Sequence, residues 1–266
     1  MGDRRWMKAA LMAALAGAAL AGFGGAASAA KSKEGDPQFA SGARILFQGD
    51  SITEGGRWRN DDLNHIMGQD YAYLIAARCG ARHPESSWTF LNRGVSGEKV
   101  TDLAKRWTED AVALKPDLLS VLVGVNDTAS VVESGGAGGV GAEEYERVYD
   151  QILQQSLRAN PNLKIVLGEP FIEPGARTTD HAEFWSAELK KKQEAVERLA
   201  AKYHAPVVHY QKMFDDAIHK SKTPVTYWIW DGVHPTYAGH QLMADEWLRT
   251  VDTFYYHGRQ NRSSPY

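Results

Sequence analysis

Five residues of this chain have the types and the setting for nucleophilic chemistry. They are Ser51 in GDSIT (49–53), Gly94 in NRG (92–94), Asn126 in GVND (124–127), and Asp231 and His234 in DGVHP (231–235). A serine hydroxyl is a poor nucleophile until a base takes its proton. A histidine can do this at neutral pH, and a carboxylate on the other ring nitrogen fixes its tautomer and stabilises the imidazolium. Asp231 and His234 stand three residues apart, so a single turn can bring carboxylate to imidazole. Attack on an ester carbonyl builds a negative oxygen that needs preorganised donors. The candidates are the N–H of Gly94, where the missing side chain permits close approach, the side-chain amide of Asn126, and the N–H of Ser51 itself. One at a time these residues have plainer roles: a serine after a strand caps a helix, an Asp–His pair steadies a helix start, and glycine and asparagine suit turns. Only their joint occurrence points to catalysis.

Such groups have to be carried to one place by the fold. Arg44 to Gln48 reads as a strand, Tyr71 to Arg78 as a helix, Trp88 to Asn92 as a strand, and Thr101 to Leu114 as a helix closed by Pro116. Asp117 to Val123 is an apolar run suited to a strand buried on both faces. A helix is expected from about Glu143, where Tyr145, Val148, Tyr149, Ile152, Leu153 and Leu157 form one apolar stripe. Strand 164–168, helix 187–203, strand 206–210 and a last helix from about Thr236 to Tyr255 complete the series. Strand and helix in alternation imply an α/β fold with a mostly parallel sheet of about five strands and helices on both faces. In such sheets ligands gather at the carboxyl ends of the strands, and Ser51, Gly94 and Asn126 all follow strand ends.

At 266 residues, 43% hydrophobic and 24% charged, the composition suits one well-cored domain. The start of the chain differs. Arg4, Arg5 and Lys8 precede an Ala/Leu-rich stretch from Ala9 to about Ala21, and Ala27-Ser28-Ala29 follows as a small-x-small cleavage site. That is the layout of a secretory signal peptide over 1–29, so export to the periplasm or the exterior is expected, with no membrane span after cleavage. A polar leader (30–43), a catalytic domain (44–256) and a polar tail (257–266) would follow. The single cysteine, Cys79, allows no internal disulfide. The whole chain carries 30 basic and 33 acidic residues; without Asp3, Arg4, Arg5 and Lys8 of the leader, 27 face 32, or about −5. Nucleic acid and anionic membranes are therefore poor partners, and a neutral or weakly charged substrate fits better.

Three competing patterns fail on context. Gly136-Ala137-Gly138-Gly139-Val140-Gly141 satisfies GxGxxG, but a dinucleotide fingerprint follows a buried strand, and Val131 to Ser134 is too short and polar for one. A flap near the oxyanion site is the better reading of that stretch. No GxSxG nucleophile elbow occurs. A zinc site on Asp231, His234 and His240 lacks HExxH or cysteine-rich spacing, so no metal and no cofactor are expected.

The blocks GDSIT, NRG, GVND and DGVHP, in this order from about Arg44 to Arg249, resemble the SGNH (GDSL-type) hydrolases, named for the Ser, Gly, Asn and His matched here by Ser51, Gly94, Asn126 and His234. Within that family the segments GDSITEGGRWRND, LNRGVSGEKVTDLAKRW, VGVNDT and WDGVHPTYAGHQLMADEWL look most like bacterial carbohydrate acetylesterases of the acetylxylan-esterase type. The resemblance implies a flavodoxin-like, three-layer αβα fold, no metal, and an acyl-enzyme mechanism on an acylated carbohydrate. Departures are GDSIT in place of GDSLS and the glycine-rich insert beside Asn126. Tyr227, Trp228, Trp230 and Trp58 lie close in sequence to the reactive positions and would suit a sugar ring, with Trp230 and Asp50 as the candidate substrate contacts. Two other readings remain: a lysophospholipase or short-chain lipid esterase with the same triad, and a non-catalytic glycan-binding module. A binder has no use for a serine–histidine pair.

Overall fold

Five short runs of apolar sequence form one parallel sheet in the computed structural model, which describes residues 36–60 and 62–257. They are β1 (Arg44–Gly49), β2 (Thr89–Asn92), β3 (Leu118–Leu122), β4 (Lys164–Gly168) and β5 (Val207–Val208), in the order β2-β1-β3-β4-β5. Register is set by pairs such as Ile45 with Phe90 and Leu118, and Leu122 with Gly168. Side chains alternate across the sheet. Ile45, Phe47 and Val166 enter one apolar core, and Leu46, Val121 and Leu167 the other. This is why the central strands read as continuous apolar runs.

Helices cover both faces and make the three layers. The first core takes in residues of α2 (Tyr71–Arg82), α7 (Tyr210–Ser221) and α8 (Tyr237–Asp252); the second takes in α3 (Val100–Asp110), α5 (Ala142–Ala159) and α6 (Ala182–Tyr203). A short α1 (Ser51–Glu54) follows β1, and α4 (Val125–Glu133) follows β3. Trp247 of α8 is fully buried against Phe39 and Phe47 and donates its indole N–H to Ser120 Oγ at 2.9 Å. Its truncation to alanine would cost about 3–5 kcal/mol. Among the described residues no helix is long and apolar enough to cross a membrane.

The structure departs from the sequence expectations in four places. Residues 36–43, expected as polar leader, pack on the domain: Phe39 is buried beside Trp88, and Asp36 is buried among Arg78, Arg82 and His83. Strand 206–210 shortens to two residues because the chain turns into α7, whose Tyr210, Met213 and Phe214 have helical spacing. The GVND block is the start of a nine-residue helix, so the GxGxxG stretch joins α4 to α5 and follows no strand. That joint is hydrogen-bonded into place, with Gly138 N–H on Ser134 Oγ and Val140 N–H on Ser130 Oγ. Finally, α6 starts at Ala182, earlier than expected, which brings Trp185 into the helix. The expected signal segment 1–29 lies outside the described residues, as does the tail beyond His257.

Candidate active site

The strand order reverses between β1 and β3, the place where open α/β sheets bind ligands. Ser51 follows β1 and Asn126 follows β3, so both come to that switch point. Asp50 closes β1 and caps α1, its Oδ1 accepting the Ile52 N–H at 3.0 Å. Ser51 is therefore the first helical residue, with its N–H at the positive end of the turn. Among the described residues that N–H has no acceptor.

His234 and Asp231 come from the turn between β5's helix α7 and α8. An antiparallel bridge from Ile229 to Pro235 closes this turn, and Trp230 N–H donates to His234 O at 3.1 Å. The segment after β4 straps it from outside through Glu173 N–H to Gly232 O and Arg177 N–H to Asp231 O, both 2.9 Å. The result is a continuous chain of polar groups. Ser51 Oγ is 2.9 Å from His234 Nε2, and His234 Nδ1 is 2.7 Å from Asp231 Oδ2. Asp231 Oδ1 accepts the N–H groups of His234 at 2.7 Å and Val233 at 2.9 Å. Burial acts to raise the Asp231 carboxyl, but these N–H donors and the His234 ring outweigh it and hold the group below the usual carboxylate range. Asp231 is thus ionised when His234 needs a counter-charge.

A cavity of about 220 Å³ opens on Ser51 and His234, bordered by Ser96, Gly97, Asn126, Arg177 and Trp185. Asn126 donates one amide hydrogen to Glu98 O at 3.1 Å, which fixes the side chain and leaves the other hydrogen free. Gly97, at φ +80°, has an N–H without an acceptor among the described residues, and a Cβ there would meet open space.

Gly94, expected as an oxyanion donor, is elsewhere. Its N–H is taken by Asn92 Oδ1 at 2.9 Å, and it does not border the Ser51 cavity. Its lack of a side chain serves packing: a Cβ would come within 2.5 Å of Glu54 N and 2.8 Å of Thr53 C in α1. In this block the glycine that borders the Ser51 cavity with an N–H free among the described residues is the second of NRGVSG, Gly97. Asp50, expected as a substrate contact, is 1% exposed and spent on capping α1. Burial pushes its carboxyl to about 7, against the Ile52 hydrogen bond and with the Asp127 charge adding to the rise. Trp230 is 62% exposed with its ring stacked 6.3 Å from the His234 ring, so it stands at the rim of the site. Trp58 and Tyr227 are also exposed, whereas Trp228 is partly buried on Thr223 Oγ1.

Several positioning residues escaped the sequence reading. Asn92 is buried at the end of β2 and donates to Met67 O and Asp70 Oδ2 while accepting from Gly94, tying three loops together. Asp127 accepts the Val100 N–H and fastens α4 to α3; burial, opposed by that bond, pushes it to about 7. Arg177 and Trp185 follow β4, and the strand-end rule applied to that strand would have found them. His240, weighed as a zinc ligand, is pushed down to about 4 by burial and then by the charge of His234. Among the described residues no three His, Cys, Asp or Glu are grouped to hold a metal ion.

Residues 47–242 match the model of the GDSL-like Lipase/Acylhydrolase family. The chain is 31% identical over 225 residues to an acetylxylan esterase of Geobacillus stearothermophilus, covering 80% of this chain and 96% of that protein. Its fold superposes on the crystal structure of the acetylxylan esterase Axe2 from Geobacillus stearothermophilus with a TM-score of 0.70 at 28% identity, covering 80% and 95% of the two chains. A candidate GDSL-like lipase from Parabacteroides merdae gives a TM-score of 0.75 at 34% identity over 81% and 98%. With the family model spanning most of the chain and this three-layer fold shared throughout, the chain belongs to the GDSL-like lipase/acylhydrolase family and is a carboxylic ester hydrolase.

Proposed function

We propose that this enzyme removes small acyl groups, acetyl above all, from carbohydrate by an acyl-enzyme mechanism. The observation that carries the proposal is the Ser51–His234–Asp231 chain of contacts at 2.9 and 2.7 Å, opening into a cavity of about 220 Å³. That volume is below the ~300 Å³ where pockets for drug-sized ligands begin, which favours a short acyl group. His234 Nε2 takes the Ser51 proton as Oγ attacks the ester carbonyl. The oxyanion is met by the N–H groups of Ser51 and Gly97 and the Asn126 amide. His234 then gives its proton to the departing sugar hydroxyl. In the second half a water attacks the acyl-serine with His234 as base, the acid leaves, and Ser51 regains its proton. Asp231 holds Nδ1–H throughout. The acetylxylan esterase relatives and the exposed Trp58 and Trp230 support a sugar as the alcohol component. The leader-like sequence of residues 1–29 supports an exported enzyme acting on glycan outside the cytoplasm.

The test is acetate release from acetylated xylan, pectin and chitin oligomers beside para-nitrophenyl esters of rising chain length. Acetyl esters should be the best substrates and activity should fall as the chain lengthens. A preference for long acyl chains would favour the lipid-esterase reading. Ser51→Ala should lose at least about 10⁴ in kcat while still binding glycan.

A further inference from the structure

A second cavity, of about 590 Å³, lies on the other side of the loop that carries Gly97, and the ester chemistry makes no use of it. Ser96 and Gly97 border the Ser51 cavity, whereas Arg93, Val95 and Glu98 of the same loop border this one. Arg57, Trp58 and Arg59, which follow α1, and Arg106 of α3 complete its polar wall. Four arginines thus meet two carboxylates, Glu98 and Asp110.

The cations are unequally answered. Arg106 donates to Glu98 at 2.7 Å and to Asp110 at 3.0 Å, so both carboxylates are spent on it. Arg59 reaches Glu54 at 3.5 Å. Arg93 donates to Asn92 O at 3.0 Å and stands 3.9 Å from Asp110. Arg57 is half-buried, and among the described residues its guanidinium has one partner, the Gly94 carbonyl at 3.0 Å. A carbonyl dipole does not neutralise a full positive charge, and the Glu54 carboxylate offsets it only in part. Burial first, then the charges of Arg93 and Arg59, lower the Arg57 pKa below its ordinary value. At the rim Trp58 is 52% exposed and its ring is stacked on His65 at 4.4 Å, while His65 is held by Asp62. A flat apolar face beside a guanidinium without a carboxylate hydrogen-bond partner among the described residues matches an acidic sugar, whose ring stacks and whose carboxylate pairs with the fork of an arginine.

We propose that this cavity is a subsite for a uronic-acid residue on the same oligosaccharide whose ester is presented to Ser51. The inference rests on the carbohydrate-esterase reading and narrows its substrate to acidic acetylated glycans. The Gly97 loop would then be gripped on both sides, by the acidic sugar through Arg57 and Arg93 and by the ester at the oxyanion site.

The experiment uses the full chain carrying Ser51→Ala, titrated with two xylo-oligosaccharides of equal length, one with a glucuronic-acid branch and neither esterified. Binding is followed by calorimetry. The acidic ligand should bind about tenfold more tightly, the advantage should shrink with added salt, and it should vanish in Arg57→Gln. Arg93→Gln, at the other arginine facing the cavity from the Gly97 loop, should cut the advantage severalfold and keeps the test open if Arg57→Gln fails to fold. Equal affinities for the two ligands overturn the proposal, as does a sulfated oligosaccharide binding more tightly than the uronate. Acetate release by the wild type, measured separately, distinguishes the two readings. Release from sugar esters with equal affinities leaves the esterase reading standing and sinks the subsite. An acidic preference in a protein that releases no acetate from any sugar sinks the esterase reading and leaves the subsite.

Discussion

Asp231 and Asp50 stand at opposite ends of the Ser51–His234 contact, one hydrogen-bonded to His234 and the other adjoining Ser51 in sequence. Both are almost fully buried, at 3% and 1% exposure. Their chemistry diverges because burial, hydrogen-bond donors and neighbouring charge balance differently around them: the Asp127 and Glu98 charges add to the rise at Asp50, whereas His234 lowers Asp231. Asp231 receives two backbone N–H groups and the imidazole, and burial is overcome; Asp50 receives the Ile52 N–H, and burial prevails. A carboxylate held below the usual range stays charged and can steady an imidazolium. One that burial raises is drawn toward its neutral form and serves to hold α1 in place. Proximity to the nucleophile in sequence says little about which acid stays charged; the balance of burial, donors and neighbouring charge decides.

Substitution is the sharpest way to break that contrast. Asp231→Asn should lower kcat by about 10⁴, since an amide cannot stabilise the imidazolium and favours the wrong tautomer. Asp50→Asn preserves a capping oxygen and should leave kcat within about tenfold of wild type. Comparable losses in the two variants would mean that Asp50 touches the chemistry. Next in size, Asn126→Ala should reduce kcat by about 10² to 10³ with little change in KM, because its amide meets an oxygen charged only in the transition state.

The two glycines of NRGVSG should then separate by thermal melting and kinetics. At Gly94 a methyl group would run into the α1 backbone, so Gly94→Ala should lower Tm and destabilise the fold by about 1–3 kcal/mol. Gly97→Ala faces open space and carries only the strain of φ +80°, about 1–2 kcal/mol, with its main effect on kcat. A stable Gly94→Ala with normal Tm would return Gly94 to consideration as a donor.

A further effect is a pH dependence of stability. Asp50 ionises near 3.8 when unfolded and near 7 when folded, and Asp127 behaves alike. Between those values the native state keeps protons that the unfolded chain releases, so these groups lower stability as pH rises from about 4 to about 7, with no further change above. Asp127→Asn removes its share of that slope. The Tm of the variant minus that of wild type should accordingly be larger at about pH 8 than at about pH 5. A difference that shrinks over this range would show that Asp127 is already ionised in the fold.

Much of the scaffold was legible because the central strands are buried on both faces. Such strands must be apolar throughout, and 164–168 was placed at its full extent. The edges were less legible. At β5 an apolar run of Pro206 to Tyr210 serves two residues of strand and then a helix, since an edge strand has a single neighbour to define its length. Residues 36–43 look polar, yet Asp36 and Phe39 find partners from α2 and α8 that are distant in sequence. Arg177 and Trp185 were missed for a related reason: they reach the site on a segment with no motif, brought there only because β4 ends at the same edge of the sheet.

The sequence by itself determined the α/β layering, through the periods of its apolar residues, and the pairing of Asp231 with His234, because three residues of one turn can close that contact without help from afar. It also named Ser51 and Asn126, since each follows a strand whose end is local information. Tertiary structure decided which glycine borders the Ser51 cavity. Gly94 and Gly97 share one loop and one residue type, and their settings differ because Asn92, held by loops far away in sequence, takes the Gly94 N–H, while the Gly97 N–H is left without an acceptor among the described residues at the border of the Ser51 cavity. It decided as well which buried acid stays charged, because burial, donors and neighbouring charges are set in space.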